Sequence, residues 1–325
     1  MVMEEKTQLN TINRPLVFFF VALLTGLAAA MFFVSGLFFI PLCAASLSAL
    51  FISERGKRRI FSYLAPILIV VIDAAFNAFY SFNCLVSLLI ALILYFCFTK
   101  NRAKSECAVY ITILISAYTF LAFLLLGFFL TKTFSLESVS EFYSEEFAFI
   151  KEQFSVMFEQ FAAEESVNPE LYSPEYISLM FSELYNSLTA LVAVFSFLLC
   201  GVTFKIFAAF TKHIPEFCYK KERWIFETSS LFAYFYIALI ILSFITATDE
   251  FFGILISNLN TVFMFVYAYL GYKFVSAVFA NRGLFSRVLL FGAIIFFSGT
   301  AIQILSYIGV YFTIITARAN NLQKD

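Results

Sequence analysis

CLVSLLIALILYFCFTKNRAKSECAVYITILISAYTFLAFLLLGFFL, residues 84–130, decides the fold. Two apolar segments, Cys84–Phe98 and Cys107–Leu130, flank a short connection that carries Lys100, Arg102 and Lys104. About 20 apolar residues, rising about 1.5 Å each, cross a hydrocarbon core as a helix. Backbone amides and carbonyls find no water there, so a form that bonds them internally is required. The stretch therefore reads as two membrane-spanning helices joined by a basic turn.

The same alternation continues in both directions. Leu16–Val34, Leu37–Ile52 and Ile60–Phe79 precede it. Tyr185–Phe210, Ser229–Thr246, Phe251–Ala280 and Ser286–Ala317 follow it. Ser35–Gly36 and Ser81–Asn83 read as tight turns between helical hairpins. The composition agrees: 62% of residues are hydrophobic and 13% charged, against about 45–50% and about 25% in soluble domains. The expected fold is an all-α polytopic transmembrane bundle of about nine spans with an external acidic amphipathic helix. It divides into an N-terminal membrane region of five spans (1–130), an external insertion (131–184) and a C-terminal membrane region of about four spans (185–325). A break at Gly309 would instead turn the last segment into a hairpin.

Charge sets the orientation. All but four of the 21 Lys and Arg fall on one set of alternate connections; Lys132, Lys151, Arg318 and Lys324 are the exceptions. Basic connections stay in the cytoplasm, which places the N-terminus there. Arg14, the apolar run and Ala28–Ala30 also have the outline of a secretory signal. The sequence after the alanines stays apolar, so the segment is read as a span.

The insertion holds eleven glutamates against Lys132 and Lys151. Phe147, Ile150, Phe154, Met157 and Phe161 recur at three- and four-residue intervals, one stripe of an amphipathic helix. Asn168-Pro169 ends it. Ser173-Pro174-Glu175 opens a second helix with a capping residue, a proline at its first position and an acid in its first turn. That helix is expected to run into the sixth span. The stripe has three readings: packing on the ends of the spans or in the headgroup region, a contact with another membrane protein or a second copy, or a lid over an external cavity.

Asp73 is the one acid well inside a span, and Asn77 follows one turn later on the same face. An aspartate at that depth costs about 2.5–3.5 kcal/mol on insertion scales, so it is expected to face the bundle interior. There it forms either a small-molecule or proton site or an inter-helix hydrogen bond, with Asn258, Asn260 or Gln303 as candidate partners. Ala22, Gly26 and Ala30 give the first span a flat face at four-residue spacing. That face fits packing within the chain or docking of a separate membrane subunit.

Cys43, Cys84, Cys97, Cys107, Cys200 and Cys218 contain no CxxC pair and are expected as small core residues or reduced thiols. The sole histidine is His213. No metal centre, cofactor or catalytic residue is expected: the chain lacks GxSxG, HExxH, a P-loop and a dinucleotide fingerprint. Intramembrane aspartyl proteolysis needs two membrane aspartates, and Asp249 and Asp325 lie outside the spans. The basic connections lack the aromatic interleaving of a nucleic-acid site. The expected partner is the lipid bilayer.

The layout resembles the YybS-like family of bacterial integral membrane proteins, a domain of unknown function. The resemblance rests on GLAAAMFFVSGLFFIPL, the acidic insertion, RWIFETSSLFAYFYIALIIL and SNLNTVFMFVYAYLGYKFVSAVFANRG. It implies a protein of the bacterial cytoplasmic membrane and no active residues. The first six spans also resemble the substrate-binding subunits of energy-coupling-factor vitamin transporters. Those dock a coupling protein through small residues spaced like Ala22, Gly26 and Ala30. The extra spans and the insertion depart from that pattern. The expected function is small-molecule binding or transport, or alternatively a membrane scaffold or regulator in envelope biogenesis or signalling.

Overall fold

The computed structural model describes residues 2–31, 36–53, 60–76, 81–133, 135–162, 174–212, 214, 224, 226–246, 250–279, 292 and 298–322. Among them lie eleven helices and no strand: α1 (Val2–Met31), α2 (Ile40–Ser53), α3 (Ile60–Phe76), α4 (Ser81–Thr99), α5 (Lys104–Thr131), α6 (Leu136–Ala162), α7 (Pro174–Asn186), α8 (Leu188–Thr211), α9 (Ser230–Ile245), α10 (Glu250–Phe279) and α11 (Ser298–Leu322). Five contain stretches long and apolar enough to cross a membrane: Phe82–Thr99, Lys104–Thr131, Leu188–Thr211, Phe251–Phe279 and Gly299–Ala319. Pro15–Ala29, Ile40–Ser53, Ile60–Val71 and Ser230–Ile245 are shorter apolar helices at the other candidate segments.

The last segment is not broken at Gly309, which lies inside α11. Its hydrogen bonds are made within the helix, so the glycine interrupts nothing. The second helix of the insertion does run on into the next apolar helix. Only Ser187 separates α7 from α8, and the ladder continues past it through Ser187 N–H to Glu183 O (3.0 Å) and Leu191 N–H to Ser187 O (2.9 Å).

The chain forms two compact units, one from Met1–Ser116 with Phe195–Thr228, the other from Ala117–Val194 with Ser229–Asp325. In the first, α1 packs against α2, α3 and α4. The contact is made close by small residues. Ala22 is fully buried, and a Cβ at Gly26 would stand 2.8 Å from Ile69 of α3. The Cys43 thiol donates to Ala22 O (3.7 Å), the Cys84 thiol to Gly26 O (3.3 Å) and Asn83 Nδ2 to Ala29 O (2.8 Å). Lipid offers no hydrophobic drive between helices, so such close packing and carbonyl contacts are what hold them.

In the second unit α10 and α11 cross at Gly271 and Gly309. A Cβ on either would overlap a carbonyl of the other helix, Leu305 O or Tyr267 O. Beside the crossing, the Tyr236 and Tyr267 rings stack at 5.2 Å and 9°. Tyr236 and Ser306 hydroxyls hydrogen-bond at 3.2 Å, tying α9 to α11.

Candidate functional site

Asp73 lies on α3, but its side chain is outside the described residues, as is the whole of Asn77. Their candidate partners are placed elsewhere. Asn258 bridges the α7–α8 junction: its Nδ2 donates to Asn186 O (2.8 Å) and its Oδ1 accepts from Ala190 N–H (3.2 Å). These are the unsatisfied groups that the end of one helix and the start of the next leave behind. Gln303 is exposed. Asn260 Oδ1 is buried and has no hydrogen bond among the described residues.

The small face of α1 is covered within the chain at Ala22 and Gly26; the side chain of Ala30 lies outside the described residues. On α6, Phe147 and Phe154 meet Phe181 of α7 with ring centroids at 5.5 and 5.7 Å. Phe147 also meets Tyr185. Lys151 Nζ donates to Ser178 Oγ (2.8 Å). Two of the five stripe residues, Phe147 and Phe154, therefore join α6 to α7, while Ile150 and Met157 stay exposed and Phe154 is exposed in part. The side chain of Phe161 is outside the described residues. The start of α6 folds back on α5, where the Tyr143 hydroxyl donates to Phe123 O (2.6 Å). Burial pushes the Tyr143 phenol up from its ordinary pKa.

The stretch that decided the topology also lines an open groove among the described residues. Its turn comes from a Schellman motif: Arg102 N–H returns to Cys97 O (2.9 Å) and Asn101 N–H to Phe98 O (3.4 Å). Asn101 takes the left-handed conformation, φ 56°, that this motif needs. The chain reverses between α4 and α5. Between them runs a groove of about 330 Å³ lined by Leu89, Leu92, Ile93, Phe96, Cys97, Tyr110 and Leu114.

Outside the apolar lining of the groove, Tyr110 belongs to a polar cluster. The Tyr110 hydroxyl donates to Glu106 Oε1 (3.0 Å), and Arg102 pairs with the same oxygen at 3.6 Å. The pair is exposed, so it contributes about 0–1 kcal/mol and serves to orient these groups. Behind the turn, Trp224 Nε1 donates to Arg102 O (3.1 Å). Its ring packs edge-on against Phe98, Phe204 and Phe207. Lys104 Nζ sits 4.9 Å from the Phe204 ring and 5.3 Å from that of Trp224.

Three cysteines lie around the reversal. Cys97 in the last turn of α4 and Cys107 in the first turn of α5 are both buried. The Cys200 thiol lies 3.9 Å from Ala108 O, beside Thr112. All three cysteines are buried and free. No family model, curated protein or solved structure matches the chain.

Proposed function

We propose that the chain is a multi-pass protein that binds a small amphipathic molecule from the bilayer and takes part in its transport. The α4–α5 groove carries this reading. Its lining is open and apolar, which suits an alkyl chain presented from the bilayer, and Tyr110, Glu106 and Arg102 stand together beside it. An alkyl tail fits against Leu89, Leu92 and Ile93, and a polar head reaches Arg102, Glu106 and Tyr110. The same reading takes the four shorter apolar helices as spans, which gives about nine, with the N-terminus in the cytoplasm. The resemblance to the YybS-like family supports a bacterial cytoplasmic membrane. Asp73 and Asn77 belong to the proposal as a second polar contact. No catalytic step is assigned.

The test is photolabelling in native membranes with a long-chain fatty acid that carries a diazirine. Label is expected in the α4 and α5 peptides, reduced by unlabelled fatty acid and by Ile93→Trp, which fills the groove. Label spread evenly over all lipid-facing helices, with no competition, overturns the reading.

A scaffold role has its own observation. Phe149, Ile150, Val156 and Met157 are exposed on the acidic hairpin. Ile150→Glu with Met157→Glu then removes a co-purifying envelope protein while the spans stay intact. Unchanged co-purification removes the hairpin as the contact.

A further inference from the structure

We propose that the α6–α7 hairpin docks a cationic amphipathic helix of another protein, seated in the apolar valley along one side of the α6–α7 seam. The inference rests on the scaffold reading of this hairpin and not on the α4–α5 groove. The seam fixes the valley. Phe147 of α6 meets Tyr185 of α7 and, one turn on, Lys151 meets Ser178, so the two helices run antiparallel. A residue three positions after a contact residue stands just to one side of the contact line, and a residue four positions after it stands just to the other. On α6, Ile150 and Met157 come three after Phe147 and Phe154; on α7, Leu184 comes three after Phe181. In an antiparallel pair the same offset falls on the same side of both helices. Ile150, Met157 and Leu184 therefore share one side, with Met180 one turn before Leu184, and all four are exposed.

Charge names the occupant. Glu146 stands one turn before Ile150, and Glu183 borders Leu184; both are exposed. Lys151 is the one basic residue of the two helices. It comes four after Phe147, on the far side of the seam, where it donates to Ser178 Oγ. The charged rim of the valley is therefore acidic. Hydrocarbon does not cover such a rim, because carboxylates are costly there, and anionic headgroups repel it. A second copy of the chain would bring the same sign to the contact. A helix with an apolar stripe at three- and four-residue spacing, and Lys or Arg beside that stripe, matches both parts. The stripe enters the valley between α6 and α7, and the cations meet Glu146 and Glu183.

The probe is a Leu/Lys amphipathic peptide of roughly 18 residues, five turns of helix, with a benzophenone on its apolar stripe. It is added to the full chain in phosphatidylcholine nanodiscs, illuminated, and the crosslinks are mapped by mass spectrometry. Benzophenone inserts readily at methionine, so label is expected at Met157 and Met180, saturating with dose and competed by unlabelled peptide. A Leu/Glu peptide of the same pattern is expected to label them at least about tenfold less. Affinity for the Leu/Lys peptide is expected to fall about three- to tenfold in Glu146→Gln with Glu183→Gln, and about tenfold or more in Ile150→Ser with Met157→Ser. The wild-type assay needs no variant to fold. Label confined to other helices, or equal label from the two peptides, overturns the proposal, as do affinities unchanged in both variants. Absence of label with two copies of the chain per disc assigns the face to self-association and also overturns it. Co-purification that is lost in Ile150→Glu with Met157→Glu, beside a Leu/Lys peptide that fails to label, keeps the scaffold reading and removes the cationic partner, so the two fail separately.

Discussion

A methyl group at Gly309 should part α10 from α11, and its cost can be worked from the crossing. The added Cβ would overlap Tyr267 O and stand 2.9 Å from both Tyr267 C and the Gly271 nitrogen, inside the 3.0 Å that real Cβ atoms keep. All three atoms are backbone, so no rotamer change relieves the contact and the helices must move apart. Overpacking costs about 1–3 kcal/mol, and a backbone obstacle puts this site near the top of that range. Alanine recovers about 1 kcal/mol over glycine by helix propensity. The net loss for Gly309→Ala is then about 2 kcal/mol. Gly201 is the control: a Cβ there meets nothing within 4 Å, so Gly201→Ala keeps only the gain. The assay is the temperature at which half the detergent-solubilised protein leaves the monodisperse size-exclusion peak. At about 2–4 °C per kcal/mol, Gly309→Ala should fall by about 4–8 °C, while Gly201→Ala holds or rises. Gly271→Ala added to Gly309→Ala should cost less than the sum, because one separation accommodates both methyls. A Gly309→Ala protein as stable as Gly201→Ala would refute the crossing.

Three further outcomes follow from single contacts. Asn258→Leu leaves Asn186 O and Ala190 N–H without their partner and should cost about 1–3 kcal/mol, read as faster amide exchange confined to the α7–α8 junction. Trp224 is the sole tryptophan, so Lys104→Met, which removes a cation–π contact of about 0.5–1 kcal/mol, should shift its emission maximum; an unchanged spectrum removes that contact. Tyr143→Phe loses the bond to Phe123 O, about 0.5–1.5 kcal/mol. Because the folded phenol is held above 10.0, the tyrosine's contribution is complete below pH 10.0 and fades as pH rises through the folded value. The wild type should therefore lose stability in that window and the variant should not.

The helices were legible because hydrocarbon leaves the backbone one local solution, and a long apolar run states it. Where a helix stops was less legible. Asn101 ends α4 by a left-handed turn, a property of five consecutive residues and not of hydropathy. Contacts between helices were not legible at all. Gly309 reads as a breaker in one segment's pattern, yet in lipid the helix continues through it and its bare face takes the Tyr267 carbonyl. Ala22 and Gly26 announced a flat face, but spacing along one helix carries no word about which surface lies on it. Ile69, Cys43 and Cys84 are remote in sequence, and only the fold brings them there.

The cavity shows the same limit and a way past it. A helical hairpin is a mirror about its turn: residues at matched distances on either side become neighbours. Lys100, Arg102 and Lys104 mark that turn in the sequence as plainly as they mark the membrane boundary. Reflection about them brings Leu92 and Phe96 onto the same groove as Tyr110 and Leu114. The charge pattern that assigns topology therefore also holds the axis from which pairings can be read. A search for motifs of adjacent residues misses them, because the chemistry is close only after the chain reverses. Asp73 and Asn77 have no such axis, since a lone polar pair on one helix fixes a depth and a face but no neighbour. That asymmetry makes the groove the sharper test of this protein's chemistry: both of its walls follow from the turn, and label in the α4 and α5 peptides reads them together.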